Sequence, residues 1–306
     1  MIIFNLINIV QYSQKKVKTM KTFYYVHTGH RIGLDRFRRA VAILEYLDNE
    51  ITLLTSDYRI AQVAKEYGID NCVGIDVVRN IPHIAQNGDK LIFDSAEANP
   101  LMLEDMRNYF SKFLRISDAI NDQKSENEYL LSPYLEGEGI LKGVAVASEF
   151  FNTFEKDIPL SFFFGDDDYE KDLEKNLDFI EGLNPCLQLG FYYFLDYEDM
   201  LQEKFQKNFE FEEYSEMIKR TEILLTASPQ AVLDSLATGA KPIYFQRADY
   251  TEDFIPLFES YNIPIVYNYD KKKLSVIFKT INDIKYEKIE QNGNKIANFI
   301  RENLNL

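Results

Sequence analysis

The sequence predicts an α/β protein with two mostly parallel sheets and a cleft between them. Short apolar or β-branched runs alternate with segments of helical periodicity along the whole chain. Strands separated by helices of this length indicate βαβ crossovers, which pair the strands in parallel. A length of 306 residues favours two domains of roughly 150 residues each.

The first half contains four predicted strands and three predicted helices. The first helix is amphipathic, with Ala40, Ile43, Leu44 and Leu47 on its apolar face, and the second runs around Ala61–Tyr67. The four strands are Thr22–Val26, Ile51–Leu54, Lys90–Phe93 and Phe113–Ile116. The third helix is Leu101–Phe110.

The second half repeats the pattern. The strand Pro159–Phe164 is stopped by Gly165, and "DDDYEKDLEKNLDFI" predicts a helix whose acidic first turn matches the helix dipole. The other predicted strands are Leu187–Phe194, Ile223–Thr226, Pro242–Phe245 and Ile263–Tyr267. The other predicted helices are Glu198–Lys207, Ala231–Thr238, Asp253–Tyr261, Lys272–Asp283 and Asn292–Asn303.

These elements predict domains at 20–155 and 156–290, joined near Ser148–Ile158, and a C-terminal helix over 291–306. Residues 1–19 precede the first strand, and their apolar run is too short to span a bilayer and has no basic region before it. We interpret them as a disordered extension or an upstream start. Open α/β sheets bind ligands beyond the carboxyl ends of their strands, which here face the cleft.

Composition excludes several partners. With 49 acidic and 34 basic residues, the net charge of −15 opposes binding to nucleic acid or to an anionic membrane surface. A small anionic ligand stays possible because Arg31, Arg36, Arg38 and Arg39 form a local basic cluster. The two cysteines do not form a disulfide framework or a zinc site, which favours buried thiols and a cytoplasmic protein. No metal or cofactor is predicted, since the three carboxylates Asp166–Asp168 are more typical of a helix cap.

The stretch "VHTGHR", residues 26–31, lies where the first strand ends and the first helix begins. Gly29 permits a tight turn, and the helix N-terminus offers free N–H groups to a phosphate. His30 is a candidate general base because the pKa of histidine lies close to working pH. Alternatively, His27 packs under the turn and His30 is a solvated loop residue.

A family resemblance adds to this reading. "TGHRIGLDRFRRAVAILEYL" resembles the first loop and helix of the UDP-sugar hydrolase of pseudaminic acid biosynthesis, whose relatives include the MurG-type glycosyltransferases. Further blocks resemble that family in the same order between about Lys21 and Tyr267, namely "LIFDS", "FLRISDAINDQ", "YLLSPYL", "LSFFFGDDD" and "EYSEMIKRTEILLTASPQAVLDSLATGAKPIYF". The resemblance implies a GT-B fold, that is, two Rossmann-like domains facing a cleft.

The resemblance also implies site residues. His30 matches a histidine that activates the attacking water, and Asp234 matches a glutamate that binds the ribose. Gly29 matches a glycine of the first loop, and Gly165 opens the loop that begins the second domain. Asp94, at the end of a strand, is a candidate catalytic carboxylate or equally a helix N-cap. Arg31 and Arg36 are expected to bind the leaving phosphates, with Ser228 and Gln230 at the second-domain loop.

The sequence also departs from the family pattern. His27 replaces the first glycine of the first loop, and Gly33 stands where the family has an arginine. The family's Gly-Gly-Ser-Thr is Ser228-Pro229-Gln230-Ala231 here, and Pro229 removes one N–H donor.

Three interpretations follow. The first is a GT-B protein that binds a UDP-linked amino sugar and acts as a hydrolase or glycosyltransferase in surface or flagellar glycan biosynthesis. The second is a non-catalytic GT-B scaffold that serves as a binding or assembly partner. The third is an α/β protein unrelated to sugar nucleotides.

Overall fold

The computed structural model describes residues 20–47, 50–97 and 99–306, so the prediction for residues 1–19 lies outside the described part. The first half forms a seven-stranded sheet in which every pairing is parallel. Its strands are β1 (Thr22–Val26), β2 (Ile51–Thr55), β3 (Cys72–Gly74), β4 (Lys90–Asp94), β5 (Lys112–Ile116), β6 (Tyr129–Ser132) and β7 (Ile140–Lys142), in the order β3-β2-β1-β4-β5-β6-β7.

The second half forms a six-stranded sheet, again parallel throughout. Its strands are β8 (Ile158–Phe163), β9 (Cys186–Gln188), β10 (Asn208–Phe209), β11 (Thr221–Thr226), β12 (Lys241–Gln246) and β13 (Ile265–Tyr267), in the order β10-β9-β8-β11-β12-β13. The predicted fold class, two Rossmann-like sheets with alternating helices, is confirmed.

Helices connect the strands in both halves. They are α1 (Asp35–Leu44), α2 (Tyr58–Val63), α3 (Ile81–Ile84), α4 (Pro100–Tyr109), α5 (Asp172–Lys175), α6 (Leu195–Lys204), α7 (Tyr214–Arg220), α8 (Pro229–Ala237), α9 (Ile255–Ser260), α10 (Lys271–Thr280) and α11 (Gly293–Leu304). Among the described residues, no helix is long and apolar enough to cross a membrane.

The central strands are buried on both faces. Every residue of β1 and of β4 is buried, because helices cover both sides of the parallel sheet. The first strand of each sheet lies in its interior: β1 lies between β2 and β4, and β8 lies between β9 and β11. Such a reversal of strand order opens a crevice at the carboxyl ends of the two central strands.

The C-terminal helix α11 returns to the first half. Ile296, Ala297 and Ile300 are buried in the same core as Tyr24 and Leu114 of the first sheet. The structure therefore joins the two ends of the described chain in one core. The domain limits 20–155, 156–290 and 291–306 stay predictions.

Two predicted elements around 165–194 are wrong in detail. The helix expected over 166–180 is a loop followed by α5 and a short 3-10 turn, Leu177–Ile180. The strand expected over Leu187–Phe194 ends at Gln188, because the backbone turns there and the Tyr192 amide donates to the Asp166 carbonyl at 2.8 Å. Gly190 permits the backbone of this turn to approach Gly165 closely, since a Cβ at position 190 would lie 2.5 Å from the Gly165 carbonyl oxygen.

Candidate functional site

A cleft of about 230 Å³ lies between the two halves, beyond the carboxyl ends of β1, β4 and β11. Residues from both halves line it, with three arginines and three aspartates among them. The lining is Arg31, Ile32, Asp35, Arg36, Arg39, Ala96, Asp118, Pro229, Gln230, Asp249, Tyr250, Thr251 and Phe254.

The turn between β1 and α1 brings the first arginines to the cleft. Gly29 and Gly33 pair as an antiparallel bridge, and the Gly33 amide donates to the Gly29 carbonyl at 2.9 Å. Gly33 has φ of +76° and Arg31 has φ of +65°, so the chain turns sharply here before α1 begins. The turn therefore presents Arg31 at the cleft mouth, where it pairs with the exposed Glu170 of the second half.

Two consecutive arginines of α1 point to different halves. Arg39 binds Asp94 through Nε at 2.9 Å and Nη2 at 2.6 Å, and its Nη1 lies 2.5 Å from Asp118. Arg38 binds Asp166 of the second half through both terminal nitrogens, at 2.5 and 2.8 Å. Adjacent helix positions are about 100° apart, which lets one helix reach carboxylates of both halves. We call the contact surface between the two halves the seam.

Arg36 is the least engaged of the cleft arginines. Its Nε lies 3.5 Å from Asp94 and its Nη2 3.8 Å from Asp118, distances too long for good hydrogen bonds. Its side chain keeps 22 % of its exposure. Donors of Arg36 are therefore available to an anion in the cleft.

Asp94 is fully buried and lies under these arginines. It accepts the two Arg39 bonds and one from the Tyr24 hydroxyl at 3.2 Å. Burial raises the pKa of the Asp94 carboxyl, and Arg39 acts against that rise. For Asp118, burial also raises the pKa, but Arg39 and Arg36 outweigh it and hold the pKa below its usual value.

His30 lies outside the lining of this cleft, in a ring of aromatic side chains from the second half. Its Nδ1 is 3.1 Å from the buried Asp167 carboxylate, and its Nε2 is 3.4 Å from Nη2 of Arg59. The rings of Tyr192 and Phe194 lie 4.9 and 5.6 Å from the imidazole centroid. His27, the other histidine of the turn, is partly buried, and burial lowers its pKa.

Asp234 borders a different cavity, of about 60 Å³, and is absent from the lining of the cleft. Its carboxylate accepts from the Tyr214 hydroxyl and from Gln230 Nε2, each at 2.8 Å. Burial raises the pKa of Asp234 to about 7. The structure thus separates His30 and Asp234, and of the predicted residues it gathers Arg31, Arg36 and Gln230 at the cleft.

Ser228 caps α8 and also crosses the seam. Its hydroxyl accepts from the Ala231 amide at 3.1 Å and donates to Asp35 of α1 at 2.5 Å. Pro229 occupies the first helical position, where no N–H is required. The predicted loop residues Ser228 and Gln230 are therefore engaged by the protein itself.

The loop after β12 closes the opposite wall. Arg247 is buried, forms two bonds to Asp249 at 2.9 and 2.7 Å, and stacks on the ring of Tyr250 at 4.5 Å. Gly165 has φ of +114°, and a Cβ there would lie 3.5 Å from the Tyr250 hydroxyl. Glycine is favoured at 165 by this positive φ, since the contact to Tyr250 alone would admit a Cβ.

The three carboxylates of 166–168 serve three separate purposes. Asp166 binds Arg38, Asp167 faces His30, and Asp168 caps α5 by accepting from the Asp172 and Leu173 amides. Across the described ranges, no group of three or more His, Cys, Asp or Glu is arranged to hold a metal ion.

Sequence reasoning placed Arg39 in the basic cluster but not among the site residues, and it missed Asp118 and the acidic partners Asp35, Asp166 and Asp167 as site residues. One signal was available, because Asp118 follows β5 just as Asp94 ends β4. The partners across the seam carry no such signal, since each pair lies more than 120 residues apart in sequence.

No protein-family profile matches the chain, and no curated protein resembles it significantly in sequence. Solved structures do resemble it. The UDP-GlcNAc 2-epimerase of Methanocaldococcus jannaschii, in complex with UDP-GlcNAc and UDP, superposes with a TM-score of 0.61 at 13% identity, over 92% of this chain and 99% of that one.

Two further GT-B structures are similar. Anabaena Alr3699/HepE, in complex with UDP-glucose, gives a TM-score of 0.55 at 10% identity over 94% of this chain and 96% of that one. Acinetobacter baumannii MurG gives 0.51 at 10% identity over 92% and 99%. At these identities the likeness establishes the GT-B fold of this chain.

Proposed function

We propose that this protein binds a nucleotide sugar, with the diphosphate held by the arginines of the cleft. The observation that carries the proposal is the gathering of Arg31, Arg36 and Arg39 at one crevice of a protein whose net charge is −15. Arginine is suited to phosphate because its planar fork donates two hydrogen bonds at once. The crevice lies beyond the carboxyl ends of parallel strands, where open α/β sheets bind ligands.

The similar structures support the uridine nucleotide. Two of them contain a UDP-sugar in a protein of the same fold. The choice of an amino sugar and a place in surface or flagellar glycan biosynthesis rest on the resemblance to the hydrolases of pseudaminic acid biosynthesis. The cytoplasm as its compartment rests on the cysteine content.

Titration calorimetry with UDP and UDP-GlcNAc tests the proposal through Arg36→Ala. Because Arg36 makes no close hydrogen bond inside the protein, its removal breaks no internal hydrogen bond, while a lost charged hydrogen bond to the ligand weakens binding by about tenfold or more. Arg220→Ala is the matched control, since Arg220 is exposed and pairs with Asp157 and Glu216 away from the cleft. Equal affinity of the two variants, or no binding at millimolar nucleotide, contradicts the proposal.

A second candidate is hydrolysis of the bound UDP-sugar, and the His30–Asp167 pair favours it. A carboxylate at Nδ1 favours the tautomer whose Nε2 carries the lone pair, and that lone pair can accept a proton from water once water replaces Arg59 beside it. Water then attacks the anomeric carbon, the bond from that carbon to the diphosphate breaks, UDP leaves and His30 takes the proton. A glycosyltransferase reaction differs only in using an acceptor hydroxyl. In either reaction Asp94 holds Arg39 in position.

Release of UDP from a panel of UDP-sugars separates these functions. Turnover that His30→Gln abolishes, with UDP affinity kept, supports the hydrolase. Tight binding without any UDP release favours the non-catalytic scaffold. The feature in favour of the scaffold is that Nε2 of His30 faces Arg59 at 3.4 Å and not the cleft.

A further inference from the structure

Four side-chain contacts close one edge of the cleft. Each joins residues 30–38 of the first half to the second half, and the Arg38–Asp166 pair is buried. The pairs and their distances are Arg31–Glu170 at 2.5 Å, His30–Asp167 at 3.1 Å, Arg38–Asp166 at 2.5 Å and Asp35–Ser228 at 2.5 Å.

Two of these contacts form a reciprocal exchange. Asp166 of the second half accepts from the amide of Leu34 at the start of α1, at 3.2 Å. Asp35 of the first half accepts from the hydroxyl of Ser228, the residue that caps the start of α8, at 2.5 Å. The first amides of a helix have no partner within it, and negative charge is favourable beside them. Each half thus supplies a carboxylate to a helix of the other.

Of these two aspartates, Asp35 is the one that lines the ligand cleft. Its side chain keeps 25 % of its exposure, and Pro229 and Gln230 lie beside it in the lining. The cleft volume of about 230 Å³ is below the roughly 300–1,000 Å³ of typical small-molecule sites. A ligand as large as a nucleotide sugar needs more room than this arrangement leaves.

Arg38 does not depend on Asp35. Asp166 already binds Arg38 with both oxygens, while Asp35 is 3.8 Å from Arg38. The like charge of Asp166 also acts against an ionised Asp35. The contact of Asp35 with α8 can therefore be released without breaking the buried Arg38–Asp166 pair.

We propose that Asp35 is an internal competitor of the anionic ligand, docking on the start of α8 and keeping the cleft closed until a diphosphate displaces it. This inference rests on the proposed function, because the displacing anion is the diphosphate of that ligand. Binding then costs the free energy of releasing Asp35, and affinity falls in proportion to the fraction of molecules that are closed.

The test compares Asp35→Asn and Asp35→Ala with the wild type by calorimetry with UDP. The asparagine removes the charge and keeps the shape, and the alanine removes the hydrogen bonds as well. We expect the dissociation constant to fall about tenfold, as it does when a competent state populated near a tenth becomes dominant. Asp157→Asn is the matched control for net charge, because Asp157 is exposed and pairs with Arg220 away from the cleft. Its affinity stays that of the wild type.

Each outcome decides one of the two proposals. Wild-type binding that the Asp35 variants leave unchanged or weaken overturns the competitor and leaves nucleotide binding intact. If UDP binds to none of the proteins, nucleotide binding fails, and inorganic pyrophosphate is titrated instead. Pyrophosphate that binds Asp35→Ala more tightly than wild type then supports the competitor, and pyrophosphate that binds neither overturns it. Melting curves confirm that the variants are folded.

Discussion

Replacing Asp234 with asparagine tests how the buried end of α8 is held. Asp234 is 2 % exposed, and its two oxygens accept from Tyr214 and Gln230. An asparagine keeps both contacts, because its carbonyl accepts from Gln230 and its amide donates to the tyrosine hydroxyl. The substitution therefore removes a titrating group with little change of shape.

The pKa of Asp234 sets the direction and size of the effect. Burial raises it from 3.8 to about 7 in the folded protein, so between these values the folded state holds a proton that the unfolded state has lost. Stability therefore falls as pH rises through this window and is constant above it. At 1.36 kcal/mol per pH unit, the loss between pH 5.5 and 7 is about 2 kcal/mol, out of about 4 kcal/mol in all.

Urea unfolding of both proteins at pH 5.5 and pH 8.5 measures this. We expect Asp234→Asn to gain about 2 kcal/mol relative to wild type between the two pH values. Asp157→Asn is the control, since its exposed carboxylate is ionised in both states at both pH values, and its difference from wild type stays constant. The reasoning is refuted if the stability difference between Asp234→Asn and wild type is the same at both pH values. It is also refuted if that difference shifts against the variant from pH 5.5 to pH 8.5.

Two further substitutions test the packing that positions the site. Gly190→Ala places a Cβ 2.5 Å from the Gly165 carbonyl oxygen and should lower the free energy of unfolding in urea by about 1–3 kcal/mol. Gly137→Ala is the control, because its Cβ meets a side chain at 3.7 Å and should change stability by less than about 0.5 kcal/mol. Equal effects of the two variants contradict the close approach of residues 190 and 165. Arg39→Met removes the two charged hydrogen bonds of the buried Asp94 and should cost about 3–5 kcal/mol at pH 8. That cost should shrink as pH falls and the carboxyl takes a proton, and a cost independent of pH counts against the ion pair.

Long periodic segments were predicted well because their pattern depends on burial alone. The all-buried strands β1 and β4 follow from apolar runs bounded by polar residues. The three-residue strands β3 and β7 have no such pattern, since a strand that short completes only one alternation. The apolar run at 187–194 predicts a strand, and its later residues instead pack in the loop that surrounds His30.

The candidate site was predicted in part. Local sequence places Arg31 and Arg36 after a strand, at a turn, and that suffices to bring them to the carboxyl edge of the sheet. His30 and Asp234 were expected near one ligand, but each is held by partners that local sequence does not reveal. His30 faces Asp167, and Asp234 faces Tyr214.

The sequence by itself determined the two parallel sheets, the arginine-bearing turn at the end of β1 and the acidic surface, because each depends on periodicity, residue type or charge within a short segment. Only the tertiary structure decided which carboxylate meets which cation, since the partners Arg38 and Asp166, or Asp35 and Ser228, come from separate halves. Ion pairs and helix caps act over a few ångströms, so their assignment requires the packed arrangement of the two sheets.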